Sequence, residues 1–188
     1  MAYLCLVRHG ESEGNINKRF SGHTDHALTN TGVDQAEICG LRLSKIHFDV
    51  MYSSNLSRAV ATAQLIKNYN LSGISDWRRT DLLQERAYGI VENLSRENII
   101  ERYSDDVISS WHTSINRAPP GGESYINVLS RCTSFYNSEL LSQITENNIL
   151  IVAHAGVIKC LMSVIEDRKL IETIKVPIKN AEPIIYEF

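Results

Sequence analysis

Leu4–Gly10 (LCLVRHG) and Leu150–Gly156 (LIVAHAG) share one pattern, in which an apolar run ends at a histidine that is followed by small residues. An apolar run of this length is typical of a strand that is covered on both faces of a sheet. Open α/β sheets bind ligands at the carboxyl ends of their strands, and small residues there let backbone N–H groups approach an anion. Arg8 adds a side chain suited to bidentate phosphate recognition. The two segments therefore suggest a phosphate pocket, with two structural histidines as the alternative.

Apolar runs of strand length alternate with helical periodicity along most of the chain. The expected strands are Tyr3–Val7, Phe48–Tyr52, a segment near Ser75–Thr80, Ile149–Ala153 and Ile184–Phe188. The expected helices begin behind a cap at Thr29 or Thr31, near Ala59, at Tyr125 behind a Ser124 cap and at Val157, with two short helices between Leu82 and Asn116. Strands that alternate with helices predict an α/β domain with a mostly parallel sheet.

The length and composition fit one globular domain spanning residues 1–188. The 188 residues are 43% hydrophobic and 22% charged, which is ordinary for a folded domain. The net charge of −3 provides no broad basic surface for nucleic acid or an anionic membrane. No apolar run is long enough to span a membrane, and we expect the amino-terminal run to be a first strand rather than a signal peptide. Cys5, Cys39, Cys132 and Cys160 are widely spaced, so we expect buried free thiols in a reducing cytoplasm.

Further motifs follow the first histidine segment in order along the chain. They are Arg8-His9-Gly10-Glu11-Ser12-x-x-Asn15, Phe20-Ser21-Gly22-His23-x-Asp25-x-Ala27-Leu28-Thr29-x-x-Gly32, Ser53-Ser54-x-Leu56-x-Arg58-Ala59-x-x-Thr62-Ala63, Leu83-x-Glu85-Arg86-x-Tyr88-Gly89, Gly122-Glu123-Ser124 and Val152-x-His154-x-Gly156. Over nearly the whole chain this series resembles the signature of the histidine phosphatase superfamily, branch 1, whose members are phosphoglycerate mutase-like. The resemblance implies a three-layer α/β/α fold, with helices on both faces of a mostly parallel sheet.

The resemblance also implies catalytic roles for five residues. His9 is implied as the nucleophile that carries a phosphohistidine intermediate. Glu85 is implied as the general acid that protonates the leaving alkoxide and then as the base that activates water. Arg8, Arg58 and His154 are implied to surround the non-bridging phosphate oxygens, whose charge must be held during the transfer.

Six further residues are implied to contact the substrate. They are Asn15, Ser21, Gly22, Arg86, Tyr88 and Ala155. The asparagine, serine and glycine are expected to donate hydrogen bonds to phosphate, although a role in structuring the loop is a serious alternative. The arginine and tyrosine are expected to touch the remainder of the substrate, and surface or packing roles are their alternative. Ala155, which follows the second histidine, is expected to present its backbone N–H.

The remaining histidines are not expected to take part in the chemistry. His23 and His26, with Asp25 between them, would suggest a metal site, but no further metal ligand follows at recognisable spacing. The chemistry implied by the family needs no metal or other cofactor. His47 and His112 are expected to be surface residues.

Sequence features point both to and away from the mutases of this family. Glu85–Gly89 and Pro183–Phe188 resemble the glycolytic mutases. However, Trp111 is followed by His112-Thr113 where the mutases carry a paired arginine, and the chain is shorter than theirs. We therefore expect a phosphatase of the type that includes α-ribazole phosphatase and fructose-2,6-bisphosphatase. The alternatives are mutase-type phosphoryl transfer and a non-catalytic member that binds phosphate or a phosphoprotein.

The expected substrate is a small phosphate ester. Residues from about 94 to 120 are expected to form a small cap over the active site and to carry specificity. A homodimer is possible, because an exposed edge strand in such sheets often supports pairing.

Overall fold

The computed structural model describes residues 1–71 and 73–188. Its strands and helices, in chain order, are β1 (Tyr3–Arg8), α1 (Glu13–Ile16), α2 (Asn30–Leu43), β2 (Val50–Ser54), α3 (Ser57–Tyr69), β3 (Asp76–Thr80), α4 (Arg96–Ile100), α5 (Asp105–Thr113), α6 (Tyr125–Phe135), β4 (Ile149–Ala153), α7 (Ala155–Ile165), α8 (Leu170–Thr173) and β5 (Pro183–Glu187). Short 3₁₀ turns cover Asp81–Leu83 and Gly89–Val91, and a π turn covers Tyr136–Leu140.

The five strands form one sheet in the order β3-β2-β4-β1-β5. Strands β3, β2, β4 and β1 are parallel to their neighbours, and β5 alone runs antiparallel to β1. The prediction of a mostly parallel sheet is therefore confirmed. Strand β2 ends later than expected, because the polar Ser53 and Ser54 still pair with neighbouring strands.

Successive side chains of a strand point to opposite faces, so each central strand contributes to two cores. Leu4 and Leu6 of β1 pack on one face with residues of α6 and α7. Cys5 and Val7 pack on the other face with residues of α2 and α3. The sheet thus lies between two helical layers, which confirms the three-layer α/β/α architecture. All four cysteines are buried and free, as expected.

Residues at the N-cap position determine where two helices begin. Thr29 Oγ1 accepts a hydrogen bond from an N–H of the first turn at 3.0 Å, so α2 begins behind Thr29 rather than Thr31. Helix α7 begins at Ala155, earlier than the expected Val157, because His154 occupies the extended N-cap position. The histidine therefore lies at the junction between a buried strand and a buried helix.

The segment from 94 to 120 contains α4 and α5 and has a small hydrophobic cluster of its own. Ile99 of α4 and Ile108 and Trp111 of α5 pack together with Phe20 and Val91. This cluster contains no strand residue, so α4 and α5 pack on the loop that carries Phe20. The segment also meets the main core, because Ile115 packs against the cluster that contains Leu4 and Leu6 of β1. Within the described ranges, every helix is too short or too polar to cross a lipid bilayer.

Candidate active site

The carboxyl ends of the four parallel strands place the main candidate residues together. Strand β1 leads into His9 and its neighbour β4 leads into His154, and the two rings lie 5.1 Å apart between centroids. Strand β2 leads into α3, whose first turn carries Arg58, and β3 leads through a 3₁₀ turn to Glu85. This convergence follows from the topology, since adjacent parallel strands end at the same edge of a sheet.

A single hydrogen bond fixes the orientation and tautomer of the buried His9 ring. His9 Nδ1 lies 2.6 Å from the Gly10 carbonyl oxygen, which only accepts hydrogen bonds, so Nδ1 carries the proton. Burial, together with Arg58 and Arg8, lowers the pKa of His9 well below its ordinary value. The neutral ring therefore keeps the lone pair of Nε2 available, and His9 lines the main cavity.

The loop that follows His9 has no room for side chains at its glycine. A Cβ on Gly10 would lie 2.2 Å from the Gly32 carbonyl oxygen of α2. Gly10 N donates to Thr62 Oγ1 at 3.0 Å, and this hydroxyl in turn donates to the Arg58 carbonyl oxygen at 2.8 Å. The backbone that holds the His9 ring is thus fixed between α2 and α3.

Two arginines bring positive charge to this edge of the sheet, and neither forms an ion pair with a carboxylate in the part of the chain that the structure describes. Arg58 is buried, and its guanidinium donates to the carbonyl oxygens of Gly22 and Thr24 at 2.8 and 3.0 Å. Arg8 Nη1 donates to the Ile178 carbonyl oxygen at 2.8 Å, while its Nε has no partner among the described residues. Carbonyl groups orient a guanidinium without forming an ion pair with it, so both side chains suit an incoming anion.

His154 is completely buried, and neither ring nitrogen has a hydrogen-bond partner within the described chain. Burial, with His9 and Arg58 nearby, lowers the pKa of His154 well below its ordinary value. A buried polar group without a partner is costly, which is a common feature of sites that await a ligand. His154 contacts the His9 ring but does not itself line the cavity.

The carboxyl group of Glu85 is held by backbone N–H groups at the wall of the same cavity. Its oxygens accept from Arg86 N at 2.8 Å and from Gly156 N at 3.4 Å. A Cβ at position 156 would lie 2.6 Å from Glu85 Oε1, so the glycine that follows the second histidine makes room for this carboxyl group. Arg131 Nη2 and His23 Nε2 donate to the Glu85 carbonyl oxygen at 3.2 and 2.8 Å, which fixes the backbone there.

Asn15 is oriented by a residue that the sequence did not single out. Asn180 Nδ2 donates to the His9 carbonyl oxygen at 2.9 Å and to Asn15 Oδ1 at 3.3 Å. Asn15 Oδ1 also accepts from Ser12 N at 3.1 Å. Because the amide oxygen is occupied twice, the Asn15 NH₂ group remains as a donor for a ligand. Asn180 follows a lysine in a polar stretch, so nothing in the sequence pattern distinguishes it.

Nine of the eleven residues expected in the site line one cavity of about 530 Å³. Ser21 and Gly22 contribute to its wall, and Ser21 Oγ has no partner among the described residues. The two residues that do not line it are His154 and Arg86. Arg86 is buried behind Tyr88, with its guanidinium 5.0 Å from the Tyr88 ring and 4.5 Å from the Tyr125 ring.

Six lining residues had no assigned role. They are Lys18, Arg19, Phe20, Arg96, Glu97 and His112. The expectation that His112 is a surface residue holds only in part, because the side chain is half-buried and α5 turns its ring inward to within 5.2 Å of the Phe20 ring. The wall contains five arginine or lysine side chains and two glutamates, so the cavity is positive although the chain has a net charge of −3.

Among residues 1–71 and 73–188, no group of three or more His, Cys, Asp or Glu side chains is arranged to hold a metal ion.

The sheet, the neutral histidine and the arginines without carboxylate partners together define an α/β protein suited to binding phosphate groups at its strand ends. The model of the histidine phosphatase superfamily (branch 1) matches residues 4–188, and the chain belongs to this superfamily. The resemblance read from the ordered motifs is thus confirmed.

The named relatives include both phosphatases and mutases. The chain is 34% identical over 189 residues to the 2,3-bisphosphoglycerate-dependent phosphoglycerate mutase of Cytophaga hutchinsonii, covering 100% of this chain and 88% of that one. The solved structure of the α-ribazole phosphatase from Shigella flexneri has a TM-score of 0.85 at 26% identity, covering 97% of this chain and 89% of that one. A phosphoglycerate mutase from Bacillus anthracis has a TM-score of 0.77 at 25% identity, covering 99% and 88%.

We predict that Asn180→Ala weakens phosphate binding by about fivefold, since the Asn15 amide loses one of the two bonds that orient it, a loss of about 1 kcal/mol. The measurement is calorimetric titration with inorganic phosphate, beside thermal unfolding. Asn17→Ala is the control, because the exposed Asn17 side chain lies away from the cavity wall and donates to the nearby Glu13 carbonyl oxygen at 2.8 Å. Wild-type phosphate affinity in a folded Asn180→Ala variant would show that Asn180 does not orient the site.

We predict that acid weakens the fold partly through His112. Burial, with Arg86 and Arg96 nearby, lowers the pKa of His112 from 6.5 to about 4. Below pH 6.5 the unfolded chain therefore binds a proton that the folded chain does not, and stability falls by about 1.4 kcal/mol per pH unit until the folded pKa is reached.

The measurement is urea unfolding in phosphate-free buffer at pH 7, 5.5 and 4.5, with wild type, His112→Phe and the exposed control His47→Phe. The stability advantage of wild type over His112→Phe should shrink as the pH falls from 6.5 towards 4. Parallel pH profiles for these two proteins would contradict the burial of a neutral His112.

Proposed function

We propose that the protein is a phosphomonoester hydrolase that passes the phosphoryl group to His9 Nε2 and then to water. The observation that carries the proposal is the neutral His9 ring, whose Nδ1 is anchored on the Gly10 carbonyl at 2.6 Å in a cavity shared with Glu85. An unprotonated imidazole nitrogen beside uncompensated arginines suits attack on a phosphate ester.

In the first step the Nε2 lone pair of His9 attacks phosphorus, and the bond between phosphorus and the ester oxygen breaks. The Glu85 carboxyl group, in its acid form, gives its proton to the departing alkoxide. Arg8 and Arg58 hold the charge on the non-bridging oxygens, and His154 donates one hydrogen bond from its unpartnered ring. The Asn15 NH₂ group and the Ser21 hydroxyl add neutral donors at the same oxygens.

In the second step water attacks the phosphohistidine. The Glu85 carboxylate accepts the proton of that water, the N–P bond breaks, and inorganic phosphate leaves with His9 neutral again. The positive charge that stabilises both steps comes from the arginines, so the proposed reaction proceeds without a metal ion or other cofactor.

A phosphatase is favoured over a mutase by the part of the cavity wall that contains His112. His112 and Thr113 stand where the mutases are expected to carry a paired arginine. His112 lines the cavity, and its pKa is lowered to about 4, so it brings no charge at neutral pH. A mutase has to bind the acid group of its phosphorylated substrate as well as the phosphate. The neutral His112 provides no positive charge for that acid group.

Mutase-type transfer of the kind named for the relative from Cytophaga hutchinsonii is the second candidate. The exposed Lys18 and Arg19 at the cavity are the observation that favours it, since they add positive charge beyond Arg8 and Arg58. A non-catalytic member that binds phosphate is a third possibility, although His9, Glu85 and both arginines are all present.

Within a single domain of residues 1–188, we assign residues 94–120 as the cap that carries specificity. This segment contributes Arg96, Glu97 and His112 to the cavity wall. The buried free cysteines suit a reducing compartment such as the cytoplasm.

We predict metal-independent phosphate release from one or more members of a panel of small phosphate esters, assayed with EDTA present. His9→Ala should reduce the rate by about 10⁴-fold or more, because the nucleophile is lost. Glu85→Gln should reduce it by about 10² to 10⁴-fold for alkyl esters, since the proton donor is lost. His47→Ala, at an exposed histidine, is the control and should match wild type.

The same assay includes 3-phosphoglycerate with a bisphosphate primer, so that isomerisation is scored beside release. Phosphate moved between carbons without release would make the protein a mutase. Release that survives in His9→Ala would contradict the phosphohistidine route. Phosphate binding without turnover of any ester would support the non-catalytic alternative.

A further inference from the structure

Three aromatic rings that line the cavity lie close to one another. The Phe20 ring lies 5.2 Å from the Tyr88 ring and 5.2 Å from the His112 ring, and Tyr88 and His112 lie 6.1 Å apart, all between centroids. All three residues line the cavity that also contains His9. We name these three side chains the aromatic wall.

The aromatic wall is fixed in place by the packing of the cap. Phe20 is buried in the same hydrophobic cluster as Ile99, Ile108 and Trp111, and Tyr88 packs against that cluster. His112 follows Trp111 directly in α5. The rings come from three separate segments of the chain, so their contact is produced by the tertiary fold rather than by local sequence.

The aromatic wall is uncharged at neutral pH. Burial lowers the pKa of His112 to about 4, so the ring is a neutral imidazole. Arg86 lies behind Tyr88 and does not line the cavity. A carboxylate placed against the aromatic wall would lose its hydration, and the buried guanidinium nearest to it, that of Arg86, lies on the far side of the Tyr88 ring and outside the cavity wall.

The cations that line the cavity near the aromatic wall are paired or exposed, whereas the buried Arg86 lies behind the Tyr88 ring with its guanidinium nitrogens unpartnered among the described residues. Arg96 Nη2 is paired with Asp105 Oδ1 at 2.6 Å. Arg19 Nη1 donates to the Asn93 carbonyl oxygen at 2.8 Å, and both Lys18 and Arg19 are exposed. Among the side chains that line the cavity, positive charge therefore lies at Arg8 and Arg58, which face the proposed phosphate position, and otherwise on exposed or paired side chains.

We propose that the aromatic wall receives the leaving group, and that the preferred substrates are phosphomonoesters of uncharged alcohols that carry a planar ring. Stacking on such a wall favours a flat ring over a saturated group of equal size. This inference rests on the proposed hydrolase function, because it names the substrate class of that same cavity. It assigns His112, which replaces a cation expected in the mutases, as a residue that determines specificity.

Binding of non-hydrolysable phosphonates tests the aromatic wall independently of turnover. Calorimetry compares benzylphosphonate, cyclohexylmethylphosphonate and 3-phosphonopropionate, which share the phosphonate and differ in ring, shape and second charge. Wild type should bind benzylphosphonate about fivefold more tightly than the cyclohexylmethyl compound, and 3-phosphonopropionate most weakly.

Three variants of His112 complete the test. His112→Phe keeps a neutral ring and should retain the preference for benzylphosphonate, whereas His112→Ala should bring the benzyl and cyclohexylmethyl affinities to within about twofold of each other. His112→Arg adds a cation and should raise the affinity for 3-phosphonopropionate about tenfold. Thermal unfolding confirms that each variant is folded.

Two results would overturn the inference. They are tighter binding of 3-phosphonopropionate than of benzylphosphonate by wild type, and an unchanged benzyl to cyclohexylmethyl ratio in folded His112→Ala. Hydrolysis of benzyl phosphate and cyclohexylmethyl phosphate is measured in parallel. Tight binding of benzylphosphonate without hydrolysis of benzyl phosphate would reject the hydrolase function while leaving the aromatic wall as a binding surface.

Discussion

The hydrogen bond from His9 Nδ1 to the Gly10 carbonyl oxygen is the interaction on which the rest of the site depends. It selects the tautomer with a free Nε2 lone pair, and burial beside two arginines keeps the ring neutral. The bond in turn requires the backbone of Gly10 to lie directly against that of Gly32, where no Cβ fits. The short loop between β1 and α1 is thus constrained by α2 and α3, and those helices are placed by the two apolar faces of the sheet.

The groups around His9 carry positive charge and free hydrogen-bond donors that an anion would pair with. Arg58 is buried and meets carbonyl oxygens alone, and His154 is buried with both ring nitrogens unpartnered among the described residues. Such groups lower the stability of the empty fold, because each gives up water without gaining a full partner. A phosphoryl group, which carries charge on three oxygens during transfer, matches this set of donors. The same side chains, Arg58 and His154, therefore serve both phosphate binding and phosphoryl transfer.

The sheet and the convergence of His9 with His154 followed from the sequence, since two apolar runs that each end at a histidine have to deliver them to one edge of a parallel sheet. The ordered motifs added Arg58 and Glu85. Residues without a periodic or motif signal were not found. Asn180 acts through two hydrogen bonds between distant parts of the chain, and His112 faces inward because α5 packs on Phe20. Neither contact follows from the spacing of residues along the chain. The part of the cavity around His112 was therefore less predictable from the sequence than the part around His9.

The central claim, a phosphoryl group carried on His9, is tested most directly by trapping it. Glu85→Gln mixed with 4-nitrophenyl phosphate should release one equivalent of nitrophenolate per protein in a burst, because this leaving group needs no proton, and then turn over slowly, since water is no longer activated. Mass spectrometry should find the phosphoryl group on the peptide that contains His9, as an acid-labile adduct that is absent from the His9→Ala, Glu85→Gln double variant. Wild-type turnover of the same ester with no burst and no protein-bound phosphoryl group in Glu85→Gln would contradict the account.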